Sequence, residues 1–470
     1  MMKNLFVTAI IFFALSLILQ IEKANAQKSQ LNLSDAIRTG LNNYQSIKAK
    51  RNYVNASAAL VQNAKNQYLP DVTASIQQAY GTINGQFGAY TALSGASTIS
   101  SSGPNYRNQS WNAAFGSIYL INTNWEFISF GRLRSKIDLA SKQLFLDSAN
   151  LTQEKFVQSV KIAGAYLNLL ITQRFAQNAQ SNVDRASYVQ QTVIARTKSG
   201  LNPGVDSSIA NSDLSSARLI LIQAINNEQQ QRNQLCQLIN ITPDILNLDT
   251  SYFSNPPATY NTSFPVANNP QVQFFKSRID QSSSAEKFLQ KSINPGLNLF
   301  GTFQGKGSGF DYNYTPAIDG SYSKDLFDGI NPSRYNYLLG LGIAWNIISP
   351  AKIKQQVKAQ QFVTAAYQNE YDLISTQLND QLLLSDQQIE NSIKGIHEVP
   401  IEYKASSDAY LQKTVLYKNG LTNIVDVQQA LYNLNRAETD MSVAYINVWQ
   451  ALLLKAAASG DFDLFIKQVK

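Results

Sequence analysis

Hydrophobic and polar positions alternate in two stretches of this chain, and after both the period changes. From Tyr335 one face reads Tyr335, Tyr337, Leu339, Leu341, Ile343, Trp345 and Ile347, and the other reads Asn336, Leu338, Gly340, Gly342, Ala344 and Asn346. The stretch Trp111, Ala113, Phe115, Ser117, Tyr119, Ile121, Thr123, Trp125, Phe127 repeats this more loosely, opposite Asn112, Gly116, Asn122 and Asn124. A period of two predicts strands with unlike faces. Shorter alternating runs over 72–80 and 297–303 supply their hairpin partners. A half-buried sandwich strand alternates too. Aromatics near the ends of the apolar face, and the small number of strands, favour strands that cross lipid with about 10 residues each.

Helical periodicity surrounds these strands. It starts at Leu33-Ser34-Asp35-Ala36, runs on through Ile47, Val54, Ala58 and Val61, and stops at Leu69-Pro70; a counterpart runs from Asn269-Pro270 to Ile293 and stops at Asn294-Pro295. Proline disfavours helix in the residue before it, so each helix should give way to a strand there. After the strands, residues 131–197 and 350–416 form two helical stretches of 67 residues each, the second containing Pro400. At about 1.5 Å per residue each would extend about 100 Å, too long for a globular core, so the helices must pack side by side. The returning helices carry the seam. Ile424, Val427, Leu431, Leu434, Met441, Tyr445, Val448 and Leu452 step by three and four, interrupted at Glu438, while Ala430, Ala437, Ala444, Ala451 and Ala458 recur every seven residues. That heptad predicts a left-handed supercoil with close axes.

The chain is written twice. Lys198-Ser-Gly-Leu-Asn-Pro-Gly-Val-Asp206 returns as Lys418-Asn-Gly-Leu-Thr-Asn-Ile-Val-Asp426, an offset of 220 (426 − 206), and Trp125 returns as Trp345 at the same offset. Ala210, Ala217 and Ala224 likewise return as Ala430, Ala437 and Ala444. The period exceeds the roughly 20–50 residues of a solenoid repeat, so the unit is half the molecule. The expected organisation is a first repeat over 27–241, with strand pair 70–127, long helix 131–197, tip turn and returning helix 206–240. A Pro-, Asn- and Thr-rich linker spans 242–268. A second repeat covers 269–458, with strand pair 295–347, long helix 350–416, tip turn and returning helix 424–458, and a tail occupies 459–470. Between paired strands, 81–109 and 305–334 read as long aperiodic loops.

Composition narrows the compartment. Lys3, an apolar run from Leu5 to Leu19 and Ala24-Asn25-Ala26 read as a secretory signal over 1–26. Its removal leaves 37 basic and 31 acidic residues (39 − 2 and 32 − 1), a modest net +6. No basic run interleaved with aromatics points to nucleic acid. No other stretch is long and apolar enough for a spanning helix, so any membrane crossing must be made by strands of a closed barrel. Cys236 and His397 are the only residues of their types. Both read as structural: Cys236 as a small buried apolar residue, His397 as structural or exposed, with no triad, phosphate loop or metal cluster to suggest an enzyme.

Leu33-Ser-Asp-Ala-Ile, Tyr68-Leu69-Pro70 before the first strand, and Gly-Leu-x4-Asp in both tip turns resemble the TolC family of outer-membrane efflux and secretion channels. The resemblance covers nearly the whole mature chain. It implies a mixed fold: a long α-helical coiled-coil barrel extending into the periplasm, plus a transmembrane β-barrel shared by a homotrimer, four strands per protomer and twelve in all. It further implies outer-membrane lipid, a periplasmic adaptor protein and an inner-membrane pump as partners, with no cofactor, metal or catalysis. The family's periplasmic gate transfers in part. Its tyrosine falls on Tyr417, the opposing aspartate on Asp206, and the first pore-narrowing aspartate on Asp426. The second falls on Gln429 and the gate arginine on Thr422, which leaves a single acidic ring. Helix capping is an alternative, compatible reading of Asp206 and Asp426. The adaptor-docking tip falls on Gly200, Leu201, Gly420, Leu421 and Thr422, residues that also serve simply to make and fill the turns. The expected role is the passive exit duct of a tripartite efflux pump. The alternatives are a duct for type I protein secretion or a non-channel coiled-coil surface protein; the transported substrate is not readable.

Overall fold

A computed structural model describes residues 30–85, 105–243, 246–257, 265–317 and 320–468. The signal segment 1–26 and the centre of the first long loop lie outside the described residues. The chain divides into two compact units. One holds the described residues up to Ala56 together with Phe145–Ile279 and everything from Ala365 on; the other holds Ser57–Leu144 and Asp280–Thr364.

The second unit is built on one antiparallel sheet. Strands β1 (Asp71–Thr82), β2 (Ala113–Ile128), β3 (Gly296–Ser308) and β4 (Arg334–Ala344) lie in sequence order. Their register sorts the side chains. Val72, Ala74 and Ile76 of β1 pair with Thr123, Ile121 and Tyr119 of β2, while Tyr119, Ile121 and Trp125 pair with Gly305, Phe303 and Leu299 of β3. Those β3 residues pair in turn with Tyr335, Tyr337 and Leu341 of β4. Directly paired residues share a face, so this set forms one continuous apolar and aromatic surface. The opposite face holds Thr73, Ser75, Gln77, Asn122, Asn124, Thr302, Gln304 and Asn336, with Ile118, Leu120, Phe300 and Leu338 among them. All four charged residues of the strands, Asp71, Glu126, Lys306 and Arg334, lie on that polar face.

Several boundaries differ from the sequence reading. β2 starts at Ala113, so Trp111 precedes it, and β4 ends at Ala344, so Trp345 and Ile347 follow it. Both tryptophans of the repeat are nonetheless used alike. Trp125 Nε1 donates to the Tyr68 carbonyl at 2.7 Å, and Trp345 Nε1 to the Ile293 carbonyl at 3.0 Å. Each acceptor lies two residues before the proline that ends the preceding helix, and its carbonyl has no intrahelical donor there. The second long loop is not aperiodic throughout. It contains the end of β3 and a short helix, Leu326–Ile330, capped by Asp325, whose carboxylate accepts from Phe327 N–H at 2.7 Å.

Helix α1 (Leu33–Asn43) and α2 (Gln45–Asn66) replace the single expected first helix, with a break at Tyr44, whose backbone is extended. The two long helices are α3 (Arg132–Lys198), entered through the left-handed pair Phe130-Gly131, and α7 (Ser349–Lys418), which continues through Pro400. The returning helices are α4 (Gly204–Ile239) and α8 (Ile424–Ser459); α5 is Pro270–Lys291 and the short loop helix is α6. In α8 the stripe Ile424, Val427, Leu431, Leu434, Val448 and Leu452 is buried, and so are Ala430, Ala437, Ala451 and Ala458. Glu438, which interrupts the stripe, is half-buried and takes both terminal nitrogens of Arg185 at 2.9 and 2.7 Å. A charge in the seam is tolerated because its partner is seated there too.

The first unit's main core surrounds the middle of α3 and the end of α8. Tyr166, Tyr252, Trp449 and Phe465 form a run of ring contacts with centroids 5.9, 5.0 and 5.9 Å apart. The segment 242–268 contributes to cores beyond linking the halves, because Leu248, Tyr252 and Val266 are buried. Its Leu248 bridges to Leu31, and the Tyr166 hydroxyl donates to the Leu31 carbonyl at 2.8 Å. The expected tail contains α9 (Asp463–Ile466), which buries Leu464 and Phe465. Cys236 is buried and His397 exposed.

Trp449 is buried and donates its indole N–H to the Tyr252 carbonyl at 3.2 Å. Trp449→Ala should therefore destabilise the protein by about 3–5 kcal/mol. Trp125→Phe and Trp345→Phe, each losing one hydrogen bond at a partly exposed site, should cost about 0.5–1.5 kcal/mol. Thermal unfolding in detergent reads both, and a Trp449→Ala loss no larger than the other two would contradict this core.

Candidate functional site at the tip turns

The two tip turns are built alike from the backbone upward. Gly200 and Gly420 both adopt φ of +74°. Leu201 N–H donates to the Arg196 carbonyl and Gly200 N–H to that of Thr197; Leu421 and Gly420 do the same to Leu416 and Tyr417. This paired closure caps a helix C-terminus and needs a left-handed residue, which glycine supplies without a Cβ clash. Leu201 and Leu421 are left 68% and 73% exposed, so they do not fill the turns in the single chain.

The aspartates do not occupy the cap positions. Pro203 and Asn423 are the N-caps of α4 and α8, and Asn423 Oδ1 accepts from Asp426 N–H at 2.9 Å. Asp206 and Asp426 sit in the first turns, where the helix dipole favours negative charge. Each also accepts from the polar residue four positions earlier: Asn202 Nδ2 donates to Asp206 Oδ2 at 2.7 Å, and Thr422 Oγ1 to Asp426 Oδ2 at 2.6 Å. The duplication thus kept the interaction while changing the donor.

Around this common frame the halves diverge. On one side Asn202 Nδ2 also donates to the Tyr417 hydroxyl at 3.0 Å, so one amide joins Tyr417 to Asp206. Arg196 fixes that amide: its Nε donates to Asn202 Oδ1 at 2.8 Å, its Nη1 to the Lys418 carbonyl at 2.6 Å, and its guanidinium lies 5.5 Å from the Tyr417 ring centre. Tyr417 is buried among Val189, Val193, Ala210, Ile424 and Val427. Burial, aided by the Asp206 charge, pushes its hydroxyl pKa up, so it stays protonated. On the other side Lys413 Nζ reaches Asp426 Oδ2 at 2.9 Å. The Thr422 hydroxyl and then Lys413 hold the Asp426 carboxyl below the usual range.

Of the residues singled out from sequence, Tyr417 and Asp206 come together through Asn202, and Thr422 joins Asp426. Gln429 stays apart, exposed and donating to Asn433 Oδ1 at 3.0 Å. Arg196, Asn202 and Lys413 were missed. Asn202 carried a signal, since it is the repeat equivalent of Thr422 (422 − 220). Arg196 and Lys413 carried none, because their equivalents are Leu416 and Val193. Among the described residues, no group of three or more His, Cys, Asp or Glu side chains could hold a metal.

Asn202→Ala should speed amide hydrogen exchange over 200–206 and 417–422 while leaving the protection around Trp449 unchanged; equal protection at the tip would contradict the amide's joining role. A carboxyl with a lowered pKa keeps its interactions above the usual Asp range and loses them as pH falls through the lower value. Thr422→Val removes the largest cause, so Asp426 should titrate at higher pH, as read by carbon-13 NMR of labelled aspartate carboxyls; an unmoved titration would remove the hydroxyl from that role.

Residues 36–240 match the model of the outer membrane efflux protein family. No curated protein matches the sequence. Among solved structures, the outer-membrane channel OprN is similar at 15% identity and TM-score 0.71, covering 91% of this chain and 90% of that one. The outer membrane protein VceC of Vibrio cholerae is similar at 14% and 0.72, covering 91% and 96%. The CmeC outer membrane channel of Campylobacter jejuni is similar at 13% and 0.72, covering 91% and 85%. The first half of the chain is thus similar to the outer membrane efflux protein family, and the fold of the chain is that of the solved outer-membrane channels.

Proposed function

We propose that three copies of this chain form a passive exit duct for a tripartite efflux pump, each lending four strands to one twelve-stranded barrel. The carrying observation is the sheet. One face is apolar with no charged residue, the other holds every strand charge, and β1 and β4 lie at its two edges. An apolar face suits lipid and a polar face suits a wet lumen, and inside lipid the edges must be closed by further strands. Efflux is favoured by the family match and by the relatives that are described as channels.

In this reading the tip turns gate the duct. Three Asp426 side chains ring the pore and attract cations, while Lys413, sharing each carboxylate, weakens the ring relative to aspartates alone. Tyr417, Asn202 and Asp206 hold α7 to the start of α4, which restrains opening. The exposed Leu201 and Leu421, with Gly200, Gly420 and Thr422, present an apolar contact for a periplasmic adaptor that leads to an inner-membrane pump.

Reconstitution in planar bilayers tests the gate. Asp426→Ala should weaken block of single-channel current by a trivalent cation; unchanged block would remove Asp426 from the pore. In cells, deletion should raise accumulation of a fluorescent efflux substrate, and the wild-type chain should restore export. Normal export together with loss of a secreted polypeptide from the medium would instead assign the duct to protein secretion.

A further inference from the structure

Lys306 and Arg334 face each other across β3 and β4 as a direct cross-strand pair. Like charges placed directly opposite repel, so the pairing is not there for stability. Both side chains are exposed. Neither makes an ion pair among the described residues, and the Arg334 guanidinium donates only to the neighbouring Ser333 carbonyl at 2.8 Å.

The surroundings leave the two charges uncompensated. Continuing the rung across the sheet, Lys306 pairs with Ile118 and Ile118 with Gln77, so no acid shares it. The acids on the same face are remote. Asp71 is six residues along β1 from Gln77, and Asn298, which pairs with Glu126, is eight residues along β3 from Lys306. At about 3.3 Å per residue these are separations of about 20 and 26 Å. Physiological salt screens over about 8 Å, so neither acid offsets the pair. Glu126 is also occupied by Arg132. Asp325 and Asp328 are nearer in sequence but lie on the loop helix, where Asp325 caps Phe327 N–H. That helix rests on the apolar face, where Ser117 and Tyr119 donate to the Ile330 carbonyl at 3.1 and 2.8 Å.

We infer that Lys306 and Arg334 form a basic belt inside the barrel that recruits and passes small multivalent anions, such as solutes bearing phosphate or several carboxylates. The inference rests on the barrel reading above, which turns the polar face to the lumen. Three chains place six cations, two from each, on one rung of a closed wall. A narrow low-dielectric pore concentrates such a field and raises the local counter-ion concentration, by at least about tenfold in comparable clefts. The belt lies toward the ends of the strands that adjoin the long loop between β3 and β4, so it acts on solutes at the mouth of the barrel.

The test uses the full-length channel in planar bilayers with inorganic pyrophosphate as the probe. Pyrophosphate should reduce the single-channel current of the wild type and of Lys306→Arg/Arg334→Lys. Lys306→Gln/Arg334→Gln should need about tenfold more for the same reduction, and its reversal potential in a potassium chloride gradient should move toward potassium selectivity. The single glutamine variants should fall between. Equal block and equal selectivity in the neutralised channel would overturn the belt while leaving the channel reading intact. Absence of single-channel current from the wild type as well would instead overturn the channel reading.

Discussion

A backbone amide or carbonyl that enters lipid without a partner costs several kcal/mol, and a sheet with open edges presents a row of them. The four strands of this chain end in β1 on one side and β4 on the other. The apolar face they share cannot be hidden within the sheet itself: Ile76, Tyr337, Leu339 and Ile343 are each 70% exposed or more. Edge and face together call for more strands of the same kind, and in the proposed trimer further copies of the chain supply them with the same division of faces. Symmetric assembly is the economical answer to an unfinished barrel.

The duplication within the chain serves the same end. Trp125 and Trp345 fasten equivalent helix ends, Gly200 and Gly420 close equivalent turns, and Asp206 and Asp426 accept from equivalent donors. Where the halves diverge, the structure gains something a symmetric wall lacks. Asn202 gains a second acceptor in Tyr417, and Asp426 gains Lys413. These single-sided contacts lie at the turns, the place where the proposed duct would be gated.

How much of this could be read from the sequence depended on how locally each feature is encoded. The strand faces were legible because alternation is a property of neighbours, and the sheet register sorts those same residues onto the two faces. Helix ends at Pro70 and Pro295 were legible because proline acts on the residue beside it. The break at Tyr44 was not, since an extended residue inside a helical pattern leaves the periodicity nearly intact. Nor was the burial of Leu248, Tyr252 and Phe465, which lie in segments whose Pro and Asn content, or terminal position, suggested connection and not core. At the tip, the residues found were those that sit in a recognisable turn. Arg196 and Lys413 act from a full helical turn away, and only the packing of the helices brings them to Asn202 and Asp426.

The proposed duct depends on closure of the sheet between copies. A cysteine placed on β1 and another on β4, carried on chains with different tags in a Cys236→Ala background, would read that closure directly. Disulfide formation that joins differently tagged chains, in a detergent-extracted particle with the native mass of three protomers, is the predicted result. A single-chain particle, or a disulfide formed within one chain, would contradict it.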